Sequence, residues 1–197
     1  MIESLSNRVL QLLVDAEVIN ETEEVMEYYK YGIEITISSI LNIVIILLIG
    51  LISGHFIESI LFLICFVPLR QVTGGYHADS YLKCNLIFAI LFALLLVVFS
   101  FTSSLITFNG CVLMAIFSIT VFISDCPIEH KNKPLTPSQK RKNKYMAVIL
   151  GLLYSFAGVI AKVLSYTTGV IFLYTLMLIS FLVIVATIKK IRKEGQE

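Results

Sequence analysis

A histidine and a cysteine, His77 and Cys84, stand seven residues apart in a short polar stretch between two apolar runs. A thiol becomes a strong nucleophile when it ionises. A nearby imidazole can take its proton or, once protonated, stabilise the thiolate. In one straight helix the two residues would share a face with their backbones about 10 Å apart, too far for direct proton transfer. A working pair therefore requires the chain to bend between them or to bring them together across a partner helix. Gly74 and Gly75 precede both residues and can expose backbone N–H groups toward the oxyanion of a tetrahedral intermediate. The plainer alternative is a small buried thiol at the start of an apolar span and a solvated histidine.

The surrounding chain must hold this segment in a bilayer. Hydrophobic residues make up 57% of the 197 positions and the mean hydropathy is +0.89, too much apolar surface for one aqueous core. A span needs roughly 20 mostly apolar residues. The expected fold is all-α and polytopic, a single integral membrane domain over residues 1–197 with about six transmembrane helices. The spans are drawn at 34–53, 55–69, 85–101, 104–124, 145–163 and 169–188. The second is short: it extends a turn either way or enters the bilayer only partly, and merging or dropping it would leave four or five spans. The first 30 residues carry no compact apolar core of the secretory type.

Residues 1–32 read as amphipathic. Ile2, Leu5, Val9, Leu12, Ala16 and Ile19 recur at steps of three and four, opposite Glu3, Asn7, Arg8 and Asp15. Such a helix lies either on the membrane surface or against the protein's own cytoplasmic side. Asn20 and Glu23 resemble a capping box opening the next helix.

Charge sets the orientation. With six spans and both termini inside, fourteen of the fifteen Lys and Arg residues face the cytoplasm, and only Lys162 does not. The segment 70–84, the loop 125–144 and the basic tail 189–197 are then cytoplasmic. In that compartment Cys84 is expected to be a free thiol.

Other polar residues are candidates beside the pair. Glu34 lies within the first apolar run and is expected either to orient His77, to pair with Arg70, or to reach toward the interface. His55 falls in the short external turn and is expected to be exposed. Cys65 and Cys111 are mid-span and expected to be inert. Cys126 and His130 lack metal-ligand spacing, so neither a metal nor a cofactor is expected. The second loop places Lys131, Lys133, Lys140, Arg141, Lys142 and Lys144 together, either as an anchor to anionic lipid or as a dock for an acidic peptide.

The run Arg70, Thr73-Gly74-Gly75, His77 and Cys84 resembles the signature of the AgrB family (accessory gene regulator protein B). Asn132-Lys133-Pro134-Leu135 and Tyr31-Gly32-Ile33-Glu34 resemble it too, and the layout agrees along nearly the whole chain. The resemblance implies a cell-membrane thiol protease of quorum sensing in a Gram-positive bacterium. Its partner would be an AgrD-like propeptide, cut near its C-terminal end and cyclised to a thiolactone or lactone autoinducing peptide. By the same resemblance Cys84 would be the nucleophile and His77 the base, with Arg70 and Gly75 supporting the site. Membrane lipids and a second copy of the chain, as a homodimer, are further expected partners; nucleic acid is not. Two competing readings are a small-peptide exporter with an incidental Cys–His pair, and a structural subunit without chemistry.

Overall fold

A computed structural model describes residues 2–16, 23–74, 81–129 and 135–194. Among the described residues seven α-helices follow one another: α1 (Ile2–Asp15), α2 (Glu23–Ile52), α3 (Phe56–Thr73), α4 (Tyr81–Thr102), α5 (Phe108–Asp125), α6 (Pro137–Val163) and α7 (Ile171–Glu194), the last entered through a 3-10 turn at Thr167–Val170. Six segments are long and apolar enough to cross a membrane: Gly32–Ile52, Phe56–Thr73, Lys83–Thr102, Phe108–Asp125, Pro137–Val163 and Thr167–Arg192. The protein is therefore an all-α polytopic membrane protein. Large apolar side chains such as Phe101, Leu105 and Ile52 stand exposed on its outer surface, where lipid replaces water as the solvent.

The core gathers around α7, whose Ile171, Leu173, Leu176, Ile179 and Val183 are fully buried. Helices α3, α4, α5 and α6 all pack against it, and α2 lies outside against α3 and α4. Close approach is aided by small residues: a Cβ on Gly158 would press into Leu173, and one on Gly151 into Phe122 and Ile119. Helix α1 packs along α2 and buries Ser6 and Leu10, while Leu5 and Leu12 remain exposed. It thus covers the protein with one face and leaves apolar side chains on another. The Asn20–Glu23 capping box lies outside the described residues.

The helix ends differ from the expected spans in ways that follow from backbone bonding. The second span takes a further turn beyond residue 69. Helix α3 continues through Arg70 to Thr73, and Gly74 ends it with φ +66°, conformational space open chiefly to glycine. Pro68 sits inside that helix and has no N–H to give the Ile64 carbonyl four residues back. Tyr154 of α6 supplies the missing bond, its hydroxyl donating to Ile64 O at 2.8 Å. Helix α6 starts at Pro137 behind a complete capping box, in which Thr136 Oγ1 accepts from Gln139 N and the Gln139 side chain accepts from Thr136 N. Lys140, Arg141, Lys142 and Lys144 are thereby helical rather than loop residues.

Candidate active site

Helices α3 and α4 run antiparallel, and a ladder of rings sets their register. Phe92 meets Phe62 with centroids 4.6 Å apart, and Phe88 meets Phe66 at 4.7 Å. Phe62, Phe66 and Arg70 follow one another at intervals of four along α3. Cys84, Phe88 and Phe92 do the same along α4. Residues four apart share a helix face, so the next rung of the ladder opposes Arg70 and Cys84. In agreement, the Arg70 guanidinium lies within electrostatic reach of the Cys84 sulfur. Cys84 is half-buried in the first turn of α4 and is not in a disulfide.

Arg70 also shapes the backbone that leaves α3. Its Nη1–H donates to the Gly74 carbonyl, toward which Thr73 Oγ1 also points at 3.4 Å. The Thr73 carbonyl in turn accepts from Ile128 N at 2.9 Å, and Gly74 and Ile128 form a single parallel bridge. A side chain on Gly74 would collide with the Ile128 carbonyl, so glycine is required here for both its φ and its size. The two polar segments that sequence reading kept apart are thus joined by main-chain bonds at Thr73, Gly74 and Ile128.

Arg70 is within electrostatic reach of a second sulfur, that of Cys126. That thiol is buried, and burial together with the charge of Asp125 pushes its pKa up to about 12. A thiol held protonated is a poor nucleophile. Cys65 and Cys111 are fully buried within spans. Cys84 alone of the four has a half-exposed side chain.

The basic segment is partly tied down. Lys140 Nζ pairs with Glu129 Oε2 at 2.8 Å, and Glu129 Oε1 accepts from Leu135 N at 3.1 Å. These donors hold the Glu129 carboxyl below its usual range. Arg141 lies over the Tyr145 ring at 5.7 Å, and Lys142 and Lys144 are exposed. Glu34 accepts a bond from Ser6 Oγ of α1 at 3.3 Å. His77, Gly75, His130, Lys131 and Lys133 lie outside the described residues. Among the described residues, no group of three His, Cys, Asp or Glu side chains is arranged to hold a metal ion.

At the other end of the α3–α4 hairpin, His55 is not the exposed residue expected. Its side chain is 28% exposed, Nε2 lies 2.9 Å from Ser100 Oγ, and Glu58 Oε2 is 3.7 Å from Nδ1. The turn before α3 folds it against α4, where it also meets the edge of Phe99.

Comparison with known proteins agrees with this architecture. The AgrB family (Accessory gene regulator B) matches residues 6–189. The chain belongs to the AgrB family. It is 27% identical over 177 residues to an AgrB-like protein 2 of Clostridium perfringens strain 13, covering 86% of this chain and 81% of that protein. An AgrB-like protein of C. perfringens strain SM101 is 29% identical over 176 residues, again 86% and 81% of the two chains. One of Listeria monocytogenes strain HCC23 is 25% identical over 152 residues, 76% of this chain and 72% of the relative. No solved structure matches. Membership places this multi-pass membrane protein in the agr quorum-sensing system of Gram-positive bacteria, with a propeptide as its partner.

Sequence reading overlooked three residues beside the site. Asn85 directly follows Cys84 and is buried, bonded to Ser38 and Asn42 of α2. A signal was available: Asn42 is the lone amide in the apolar run from Ile40 to Ile52, and polar side chains inside spans are costly unless they serve a purpose.

Proposed function

We propose that this AgrB-family chain is a membrane cysteine endopeptidase that removes the C-terminal tail of an AgrD-like propeptide and closes the remainder into a ring. The observation that carries the reading is the half-buried Cys84 at the start of α4, facing the end of α3 where Arg70 holds the Gly74 carbonyl. Between these two helix ends the sequence supplies His77, the one imidazole in the intervening segment.

In the reaction, Cys84 Sγ attacks the scissile carbonyl as His77 takes the thiol proton. The C–N bond breaks, the tail's amine leaves with that proton, and the peptide remains as a thioester on Cys84. A thiol or hydroxyl within the same peptide then attacks the thioester. The ring closes as thiolactone or lactone, and the Cys84 thiol is regenerated. Thioester-to-thioester exchange conserves the activation, which water would discard, so a site at the lipid boundary that excludes water suits the step.

The charge distribution supports an orientation with both termini and the site in the cytoplasm. Arg141, Lys142 and Lys144, with Lys131 and Lys133, would draw in an acidic tail, whereas Lys140 already serves Glu129. The test is cleavage of a tagged propeptide by the purified protein in proteoliposomes. Cys84→Ala and His77→Ala each insert normally and lower cleavage by at least about 1000-fold. Tail release at the normal rate by Cys84→Ala protein would remove Cys84 from the mechanism.

A further inference from the structure

Helix α4 makes two kinds of contact near Cys84. Toward α3 it presents Phe88 and Phe92, with Cys84 one turn before them on the same face, and these ring contacts are apolar and weakly directional. Toward α2 it presents Asn85. Ser38 Oγ donates to Asn85 Oδ1 at 2.8 Å, and Asn42 Nδ2 donates to the same oxygen at 3.0 Å. Ser38 and Asn85 are 7% and 5% exposed.

This cluster is poorly arranged for stability. Asn42 Oδ1 and Asn85 Nδ2 are buried without a hydrogen-bond partner among the described residues. Exchanging oxygen and nitrogen in both amides leaves the same deficit, one amide donor and one amide acceptor unpaired. Apolar residues of similar shape would avoid that cost. What the cluster does provide is direction. Adjacent residues on a helix point about 100° apart, so fixing Asn85 against α2 fixes the azimuth of Cys84. The ring ladder sets how far α4 lies along α3. The Asn85 bonds set how far it is turned.

We infer that Asn85, held by Ser38 and Asn42, is a positioning residue that turns α4 so that Cys84 faces Arg70. The inference rests on Cys84 being the nucleophile of the proposed reaction.

The test uses the full-length chain in proteoliposomes carrying Asn42→Leu and Asn85→Leu together. The double variant inserts and melts at the same or a higher temperature, because both unpaired amides are gone and the Ser38 hydroxyl turns to the carbonyl four residues back, as Ser39 Oγ already does. Its kcat for propeptide cleavage falls about 10-fold with KM unchanged, since the thiol is presented at the wrong angle. Asn85→Asp keeps the acceptor oxygen used by both α2 donors and retains kcat within about 3-fold. Iodoacetamide alkylation of Cys84, read peptide by peptide in the same membranes, changes about 5-fold in the double variant as the half-buried sulfur turns to different surroundings. A normal kcat in the double-Leu protein, or a fall that only tracks the folded fraction, would overturn the inference. Should the unaltered protein cleave no propeptide, the proposed reaction fails. Alkylation then decides the positioning by itself, and an unchanged rate sinks it.

Discussion

The two ends of the α3–α4 hairpin share one register and are finished in opposite ways. At one end Phe99 packs edge-on against His55 and Tyr174, His55 meets Ser100, and Thr102 Oγ1 lies 2.6 Å from Tyr174 Oη. Side chains of α3, α4 and α7 lock together there, and the connection into α3 is a short turn. At the other end the same ladder continues from Phe62 and Phe92 through Phe66 and Phe88 to Arg70 and Cys84. There the contacts change kind: Arg70 turns to the Gly74 carbonyl, and main-chain bonds join Thr73 and Gly74 to Ile128. A helical hairpin needs only one well-locked end to keep its register. The other end can then hold reactive groups whose geometry is set from the locked end and from neighbouring elements.

Substitutions that act on one end and spare the other sharpen this contrast. Gly74→Ala has the largest expected effect outside the reacting residues. The new methyl must displace the Ile128 carbonyl and also adopt a φ unsuited to an L-residue, a strain of about 1–3 kcal/mol. Cleavage should fall about 100-fold, because the path into the His77 segment moves by an ångström or more. Gly54, also at positive φ but with open space around its Cβ position, is the control at the locked end. Gly54→Ala should lower melting temperature slightly and leave cleavage within about 2-fold.

Removing one ring from each end makes the next comparison. Phe88→Ala deletes the rung one turn from Cys84 and should reduce kcat about 10-fold. Phe99→Ala deletes the ring held by His55 and Tyr174. It should cost about 3 kcal/mol of stability or more while leaving kcat of the folded protein within about 2-fold. Equal losses of kcat would mean that both ends position the sulfur alike.

The smallest effect is expected at Glu129. Lys140 and the Leu135 N–H keep its carboxyl ionised to lower pH than in the unfolded chain. Its contribution to holding the loop is therefore present above the ordinary Glu range, and is lost as pH falls below about 4.5 through the lowered value. Exchange at the Leu135 amide should accelerate as pH falls through that window, after correction for intrinsic rates. In Glu129→Gln protein the acceleration should vanish, and cleavage at neutral pH should change by about 2-fold at most.

Much of the fold was legible in the sequence because lipid leaves little choice: a span must be helical, long and apolar. The helix ends were less legible. The second span reads as short, with room for a further turn at either end, and backbone bonding carries α3 past Arg70 to Thr73, where Gly74 ends it. The basic residues from Lys140 onward, expected in a loop, stand on α6 because Thr136 and Gln139 form a capping box just before them. Cys84 stood out by residue type and by its neighbours. Its opposition to Arg70 did not, because register between two apolar helices follows from which rings interlock and leaves no periodic mark. The bridge from Gly74 to Ile128 joins residues 54 apart and had no local signal beyond the glycine itself. Asn85 was hidden by its position at the edge of a span, where an amide looks like the end of a loop.

Cys84 and Cys126 supply the most direct test, since Arg70 lies within electrostatic reach of both sulfurs and Cys126 is the buried one. Propeptide is mixed with the membrane-embedded protein, quenched in acid within the first turnover, and the chain is digested and mapped by mass. The expected result is the N-terminal part of the propeptide attached to Cys84 through a bond that neutral hydroxylamine cleaves. The adduct should be absent from Cys126 and absent altogether in Cys84→Ala protein. An adduct on Cys126, or tail release by Cys84→Ala protein, would contradict the assignment of Cys84 as the nucleophile.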